Sequence, residues 1–130
     1  MSEITFVLLS EKIGPKSYFI SLIDGIPAGF CGVNFDTRCW ADNWVNKEFR
    51  GNGLTSKFES FLISNYPGEP WSVVAWHLPP TAVLRYQLKD GFTVSNPEGC
   101  EARSLEVEQK RSALGESTYA KVLEIWNAQT

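Results

Sequence analysis

Val45-Asn46-Lys47-Glu48-Phe49-Arg50-Gly51-Asn52-Gly53-Leu54-Thr55-Ser56-Lys57-Phe58-Glu59-Ser60-Phe61-Leu62-Ile63 is the stretch on which the reading of this chain turns. It predicts the end of a strand, a tight Gly-bearing turn from Arg50 to Leu54, and an amphipathic helix. Leu54, Phe58, Phe61 and Leu62 recur at i, i+4, i+7 and i+8, the spacing of one buried helix face. Two glycines at a helix start let the backbone come close to a ligand. The first helical N–H groups lack an intrahelical partner, and the helix dipole favours negative charge there. Such an end is a ready phosphate site. The bland alternative is a corner whose glycines only turn the chain. No Gly-Lys-Ser/Thr follows, so this is not a Walker A loop, and the third glycine of the dinucleotide fingerprint is missing.

Upstream of that stretch, strands are expected over residues 4–9, Ser17–Ile23, 26–35 and Cys39–Val45. Tyr18, Ile20 and Leu22 alternate onto one face, with Phe19 and Ile23 on the other. Asp24-Gly25 is a hairpin signal, and Ala28, Gly29 and Gly32 point to a bulge or close packing. Downstream, the helix Leu54–Asn65 stops at Tyr66-Pro67-Gly68. An apolar strand over 71–78 reads as covered on both faces. Pro79-Pro80 starts a helix with Ala82, Val83 and Tyr86 on its inner side, stopped at Asp90-Gly91. Phe92-Thr93-Val94 is a further strand, 95–102 a loop, and 104–110 a strand with Leu105 and Val107 inward. Gly115 punctuates the chain before a last helix carrying the stripe Tyr119, Val122, Leu123 and Trp126. That stripe has two uses, docking inside the chain or across a homodimer. With no repeat, low-complexity tract or linker, the expectation is one domain over 1–130.

Val45 to Leu54 resembles the acyl-CoA-binding motif of the GNAT superfamily of N-acetyltransferases, roughly Val-x-Pro-Glu-Tyr-Arg-Gly-x-Gly-Ile-Gly. Lys47 stands where that motif has Pro, and Thr55 where Gly or Ala closes it. Ala82-Val83-Leu84-Arg85-Tyr86 followed by Gly91-Phe92 resembles the family's Ala-x-x-x-Tyr … Gly-Phe segment. Here Pro79 replaces the usual asparagine, and one residue is inserted between Tyr86 and Gly91, so an ungapped count puts Gln87 at the tyrosine position. The resemblance covers most of the chain. It implies a mixed α/β (α+β) fold: a mostly antiparallel sheet of six to seven strands, helices after the fourth and fifth strands, and a C-terminal helix. It also implies that two helices should lie between the first two strands, and Ser10 and Ser17 are too close for them. The acceptor side is then open, completed by a second subunit, or shaped for a large partner such as a protein surface.

The same resemblance implies acetyl-CoA as cosubstrate, held by Asn43, Trp44, Val45, Arg50, Gly51, Asn52, Gly53, Leu54, Thr55 and Ser56, with the pyrophosphate on the turn's backbone N–H groups. Transfer from a thioester to an amine requires deprotonation of the amine, polarisation of the carbonyl and protonation of the thiolate. By resemblance Tyr86 is the acid for the thiolate, and a phenol of pKa about 10 carries its proton at neutral pH. Asp42, on the strand entering the motif, and His77, which titrates near neutrality, are the candidate bases. The ordinary readings are a core tyrosine, an exposed strand-end carboxylate and a structural histidine. A water relay would dispense with a base. Trp40, Trp44, Trp71 and Trp76 either line the cleft or fill the core in place of the missing helices.

Composition bounds these readings. The chain has 130 residues, 43% hydrophobic and 13% aromatic, enough for one packed core. Net charge is −3 with no basic block, which disfavours nucleic acid and tolerates a basic acceptor such as lysine. Cys31, Cys39 and Cys100, without Cys-x-x-Cys spacing, read as free thiols in a reducing compartment. One histidine leaves a zinc site without local ligands, so no metal is expected. Met1-Ser2-Glu3 is acidic and the apolar run after it is too short to span a membrane, so cytoplasmic residence is the expectation. The expected activity is direct acetyl transfer to an amine, a protein lysine or N-terminus among the acceptors. The alternatives are a non-catalytic module that grips a partner protein, and transfer from a carrier-bound donor.

Overall fold

The computed structural model describes residues 2–74, 78, 80–95, 97 and 105–130. Trp76, His77, Pro79, Cys100 and most of the expected loop at 95–102 lie outside them. Six strands form one sheet in the order β1-β2-β3-β4-β5-β6: β1 Ile4–Leu8, β2 Ser17–Ile23, β3 Ile26–Asn34, β4 Cys39–Val45, β5 Trp71–Val74 and β6 Phe92–Ser95. Strands β1 to β4 are antiparallel, and β4, β5 and β6 run parallel. A 3-10 turn, Lys47–Phe49, and helix α1, Leu54–Asn65, follow β4; α2, Pro80–Leu88, follows β5; α3, Leu105–Gln129, closes the chain. The expected mixed fold is therefore present, with a helix in each crossover between parallel strands.

Alternation along β2 sorts the core into two layers. Phe19 faces α1 and α2, where it packs with Phe58, Leu62, Trp40, Trp71 and Tyr86. Tyr18, Ile20 and Leu22 face α3, against Val122, Tyr119, Leu123 and Trp126. All seven residues of β2 are buried because both faces are covered. The hairpin after β2 turns on Asp24 (φ 51°) and Gly25 (φ 81°), the pair of positive φ values that a two-residue loop matched to strand twist requires. At the far end of β3, Asn34 Oδ1 accepts from the N–H of Asp36 and Thr37, closing the turn into β4.

The C-terminal region differs from the sequence expectation. The alternation of Leu105 and Val107 suggests a strand over 104–110, yet the described part, 105–110, is the start of α3, and Leu105 is 76% exposed. Its helix formers decide this. Glu106 and Glu108 sit at the positive end of the helix dipole, and Glu106 pairs with Lys110 one turn on at 3.3 Å. Gly115 is not a stop either; it lies inside α3 and is buried. A Cβ there would stand 2.2 Å from Trp44 Cε3 and 2.5 Å from Cδ2, so the glycine lets α3 press directly onto the Trp44 ring. The apolar stripe of the last helix docks within the chain, on the sheet face opposite α1 and α2. That covers the face expected to be open. No helix among the described residues is long and apolar enough to cross a membrane.

The Gly115 contact makes a signed prediction. In an unpacked helix Gly115→Ala would stabilise by about 1 kcal/mol through helix propensity. Against the Trp44 ring it should instead destabilise by about 1–3 kcal/mol, read as a lower urea midpoint. A raised midpoint would place α3 away from Trp44.

Candidate functional site

The site begins with one extra residue in β4. Gly32 pairs with Asp42 and Val33 with Trp40, so Ala41 has no partner and forms a bulge. A bulge reverses the alternation. Trp40 points toward Phe58, Tyr86 and Phe92, whereas Trp44 joins the layer beneath α3. Gly32 leaves room for the Tyr18 ring, which reaches Asp42 across the strands. Among the described residues β4 and β5 pair only at Cys39↔Ser72 and Trp40↔Val73. Beyond the bulge, β4 borders two adjoining cavities.

One cavity, of about 380 Å³, is walled by the glycine turn. Gly51 (φ 87°) and Gly53 (φ 74°) hold the left-handed backbone that brings the chain into α1. Gly53 caps the helix without a side-chain hydrogen bond. The N–H groups at the start of α1 are thus left without the oxygen that Ser, Thr, Asp or Asn would supply. Side chains brace the turn from behind: Asn52 Nδ2 donates to the Phe49 carbonyl at 2.8 Å, and Arg50 Nε to the Val45 carbonyl at 3.0 Å. The Arg50 guanidinium lies 5.0 Å from the Trp44 ring centre. Asn43 ties strand to helix, accepting from Cys31 Sγ at 3.3 Å and donating to Thr55 Oγ1 at 3.1 Å. Asn43, Trp44, Val45 and Arg50 through Ser56, the whole predicted donor set, border this cavity.

The second cavity, of about 340 Å³, shares Asn43, Trp44, Thr55 and Arg111 with the first. Asp42 and Tyr86, two of the predicted catalytic residues, both border it; His77 lies outside the described residues. Asp42 accepts from the Tyr18 hydroxyl at 2.5 Å and from Lys16 Nζ at 2.9 Å. Burial, then the Asp42 hydrogen bond, pushes the Tyr18 phenol up, so it stays a donor. Tyr86 is 4% exposed and donates to Glu59 Oε2 at 3.1 Å. Burial and then the Glu59 charge raise its pKa, keeping it protonated at neutral pH.

Glu59, fully buried on α1, gathers the side chains of α2. Arg85 donates from both Nη atoms, at 3.0 and 3.1 Å, and Lys89 from Nζ at 2.7 Å. Burial by itself raises the pKa of this carboxyl. Hydrogen bonds and charge from Arg85 and Lys89 outweigh it and hold the group below the usual carboxylate range. Sequence reasoning passed over Glu59, although Glu59 and Leu62 at i, i+3 put a carboxylate on the edge of the apolar stripe, and Arg85 and Lys89 at i, i+4 share one helix face. It gives Arg111 no role and reads Gly115 as a break before the last helix, not as a contact inside it.

Of the four expected cleft tryptophans, Trp40 and Trp44 border the second cavity. Trp71 is a core residue beside Phe35 and Tyr66 with Arg38 over its ring, and Trp76 lies outside the described residues. Cys31 and Cys39 are free thiols, and burial pushes both pKa values up. Neither is an activated nucleophile. Among the described residues no group of His, Cys, Asp and Glu is placed to hold a metal. No protein-family model, curated protein or solved structure matches the chain.

The Glu59 cluster predicts a pH-dependent stability. Its folded pKa lies below the unfolded value, so its contribution is complete above the ordinary carboxylate pKa and is lost as pH falls through the folded value. Glu59→Gln should cost about 2 kcal/mol at pH 7. The gap to wild type should narrow below about pH 4, measured by urea unfolding across pH. A gap that stays constant down to pH 2 would show that the charge is not what matters.

Proposed function

We propose that this chain binds acetyl-CoA in the cavity between β4 and the glycine turn and transfers the acetyl group directly to an amine. The observation that carries the reading is the convergence of the motif residues, Asn43–Val45 and Arg50–Ser56, on one cavity at an uncapped helix start. The residues suit the group. Backbone N–H groups of α1 and the side chain of Arg50 favour phosphate oxygens. Glycine at 51 and 53 keeps side chains out of the way, and a Cβ at either position would project into open space. Trp44 Nε1 is buried with no hydrogen-bond partner among the described residues, a donor that an amide or thioester carbonyl would satisfy.

Acetyl-CoA supplies an activated thioester. The protein's part is to bind, orient and move protons. Asp42, beside the second cavity, would hold the acceptor ammonium or take its proton, with Lys16 and Tyr18 fixing its position. Tyr86 holds a proton on the wall of the same cavity, and that proton must leave Glu59 to reach a thiolate. The two thiols among the described residues are held protonated by burial, which favours direct transfer over a covalent enzyme intermediate.

One observation favours a second reading, a binding module without turnover: the single phenolic proton of Tyr86 is committed to Glu59. Two experiments separate the possibilities. Calorimetric titration with acetyl-CoA should show binding that Gly53→Asn largely keeps, since Asn tolerates the left-handed backbone. Gly53→Glu should weaken it at least about tenfold by setting an anion against the phosphates. Equal binding by both variants would place the donor elsewhere. Tyr86→Phe should lower kcat about 100-fold or more with acetyl-CoA affinity unchanged. Binding by the wild type without N-acetyl product across amines and lysine peptides would instead support the module.

A further inference from the structure

The second cavity is electrically asymmetric. At one part of its wall stands Asp42, balanced by Lys16 at 2.9 Å. At another stands Arg85, and the group behind it is not balanced: one carboxylate, Glu59, sits between two cations, Arg85 and Lys89. Glu59 is 0% exposed, while the Arg85 side chain is 47% exposed and borders the cavity. Glu59 takes one hydrogen from each Nη of Arg85, out of the five N–H donors a guanidinium carries. That two-point grip fixes the plane of the group, and the Tyr86 ring, 4.4 Å from Cζ, supports its face. The guanidinium N–H groups that Glu59 does not take can receive an oxyanion. Arg111 of α3 also borders the cavity, paired with Glu108 at 3.6 Å.

Size and cover narrow the ligand. At about 340 Å³ the cavity lies at the small end of small-molecule sites. Leu114, Gly115 and Thr118 place α3 along one wall of the cavity. The excess is a single positive charge, which matches a carboxylate better than a phosphate of charge about −1.5 to −2.

Resting on the transferase reading above, we infer that the acceptor is a small amino acid, its carboxylate held by Arg85 and its ammonium group directed to Asp42. Arg85 is then a specificity-determining residue, and Glu59 its positioning residue.

The test uses the whole protein and matched probes. Amino acids from glycine to 5-aminovalerate, each paired with the alkylamine of the same chain length, are titrated by calorimetry with and without coenzyme A. At least one amino acid should bind about tenfold or more tightly than its paired amine, and Arg85→Gln should remove that preference. The wild-type comparison stands even where the variant is unstable. If no probe shows a carboxylate preference, or the preference survives in Arg85→Gln, the inference falls. Loss of acetyl-CoA binding with the carboxylate preference retained would overturn the transferase reading and leave the Arg85 site standing. Binding of acetyl-CoA with no carboxylate preference would do the reverse.

Discussion

One residue more in β4 than β3 can pair, Ala41, turns the two ends of that strand toward opposite faces of the sheet. Before the bulge Trp40 joins the core under α1 and α2; after it Trp44 sits under α3. Among the described residues, pairing with β5 is at Cys39 and Trp40, before the bulge. Past the bulge β4 borders both cavities, and the glycine turn into α1 walls one of them. A regular β4 would keep Trp40, Asp42 and Trp44 on one face and remove the asymmetry on which the site is built.

The second constraint is the bare sheet face. A chain too short between β1 and β2 for helices must cover Tyr18, Ile20, Leu22 and Phe30 by other means. Helix α3 does so, with Val122 fully buried and Gly115 seated on Trp44. Its first half also contributes Arg111, Leu114 and Thr118 to the cavity wall. Structural cover and site wall are thus one element. The Glu59 cluster joins α1 to α2 on the other side in the same way, so stability and local charge are set by the same contacts.

Much of the fold was legible because its signals were local. Period-two alternation in β2, the Asp24-Gly25 turn and the i, i+4, i+7, i+8 stripe of α1 each appear where expected. The glycine turn was legible for the same reason, and its residues meet at one cavity. What was not legible depended on distant partners. Gly115 reads as a break until the Trp44 ring is placed against it. Leu105 and Val107 alternate like a strand, but helix formers and ion pairs between them carry the segment into α3. Glu59 reads as a surface charge, and only the packing of α2 over α1 shows that it is buried beneath two cations. Tyr86 was picked out as a proton donor; that its proton is shared with Glu59 is a tertiary fact.

The central claim is that the cavity between β4 and the glycine turn into α1 is the donor site. Its most direct test is an amide and indole chemical-shift titration of the protein with acetyl-CoA. The account predicts the largest changes at the amides of Gly53 to Ser56 and at the Trp44 indole N–H, moving together along one binding curve. Shifts concentrated elsewhere, with Gly53 to Ser56 and Trp44 unmoved, would contradict it.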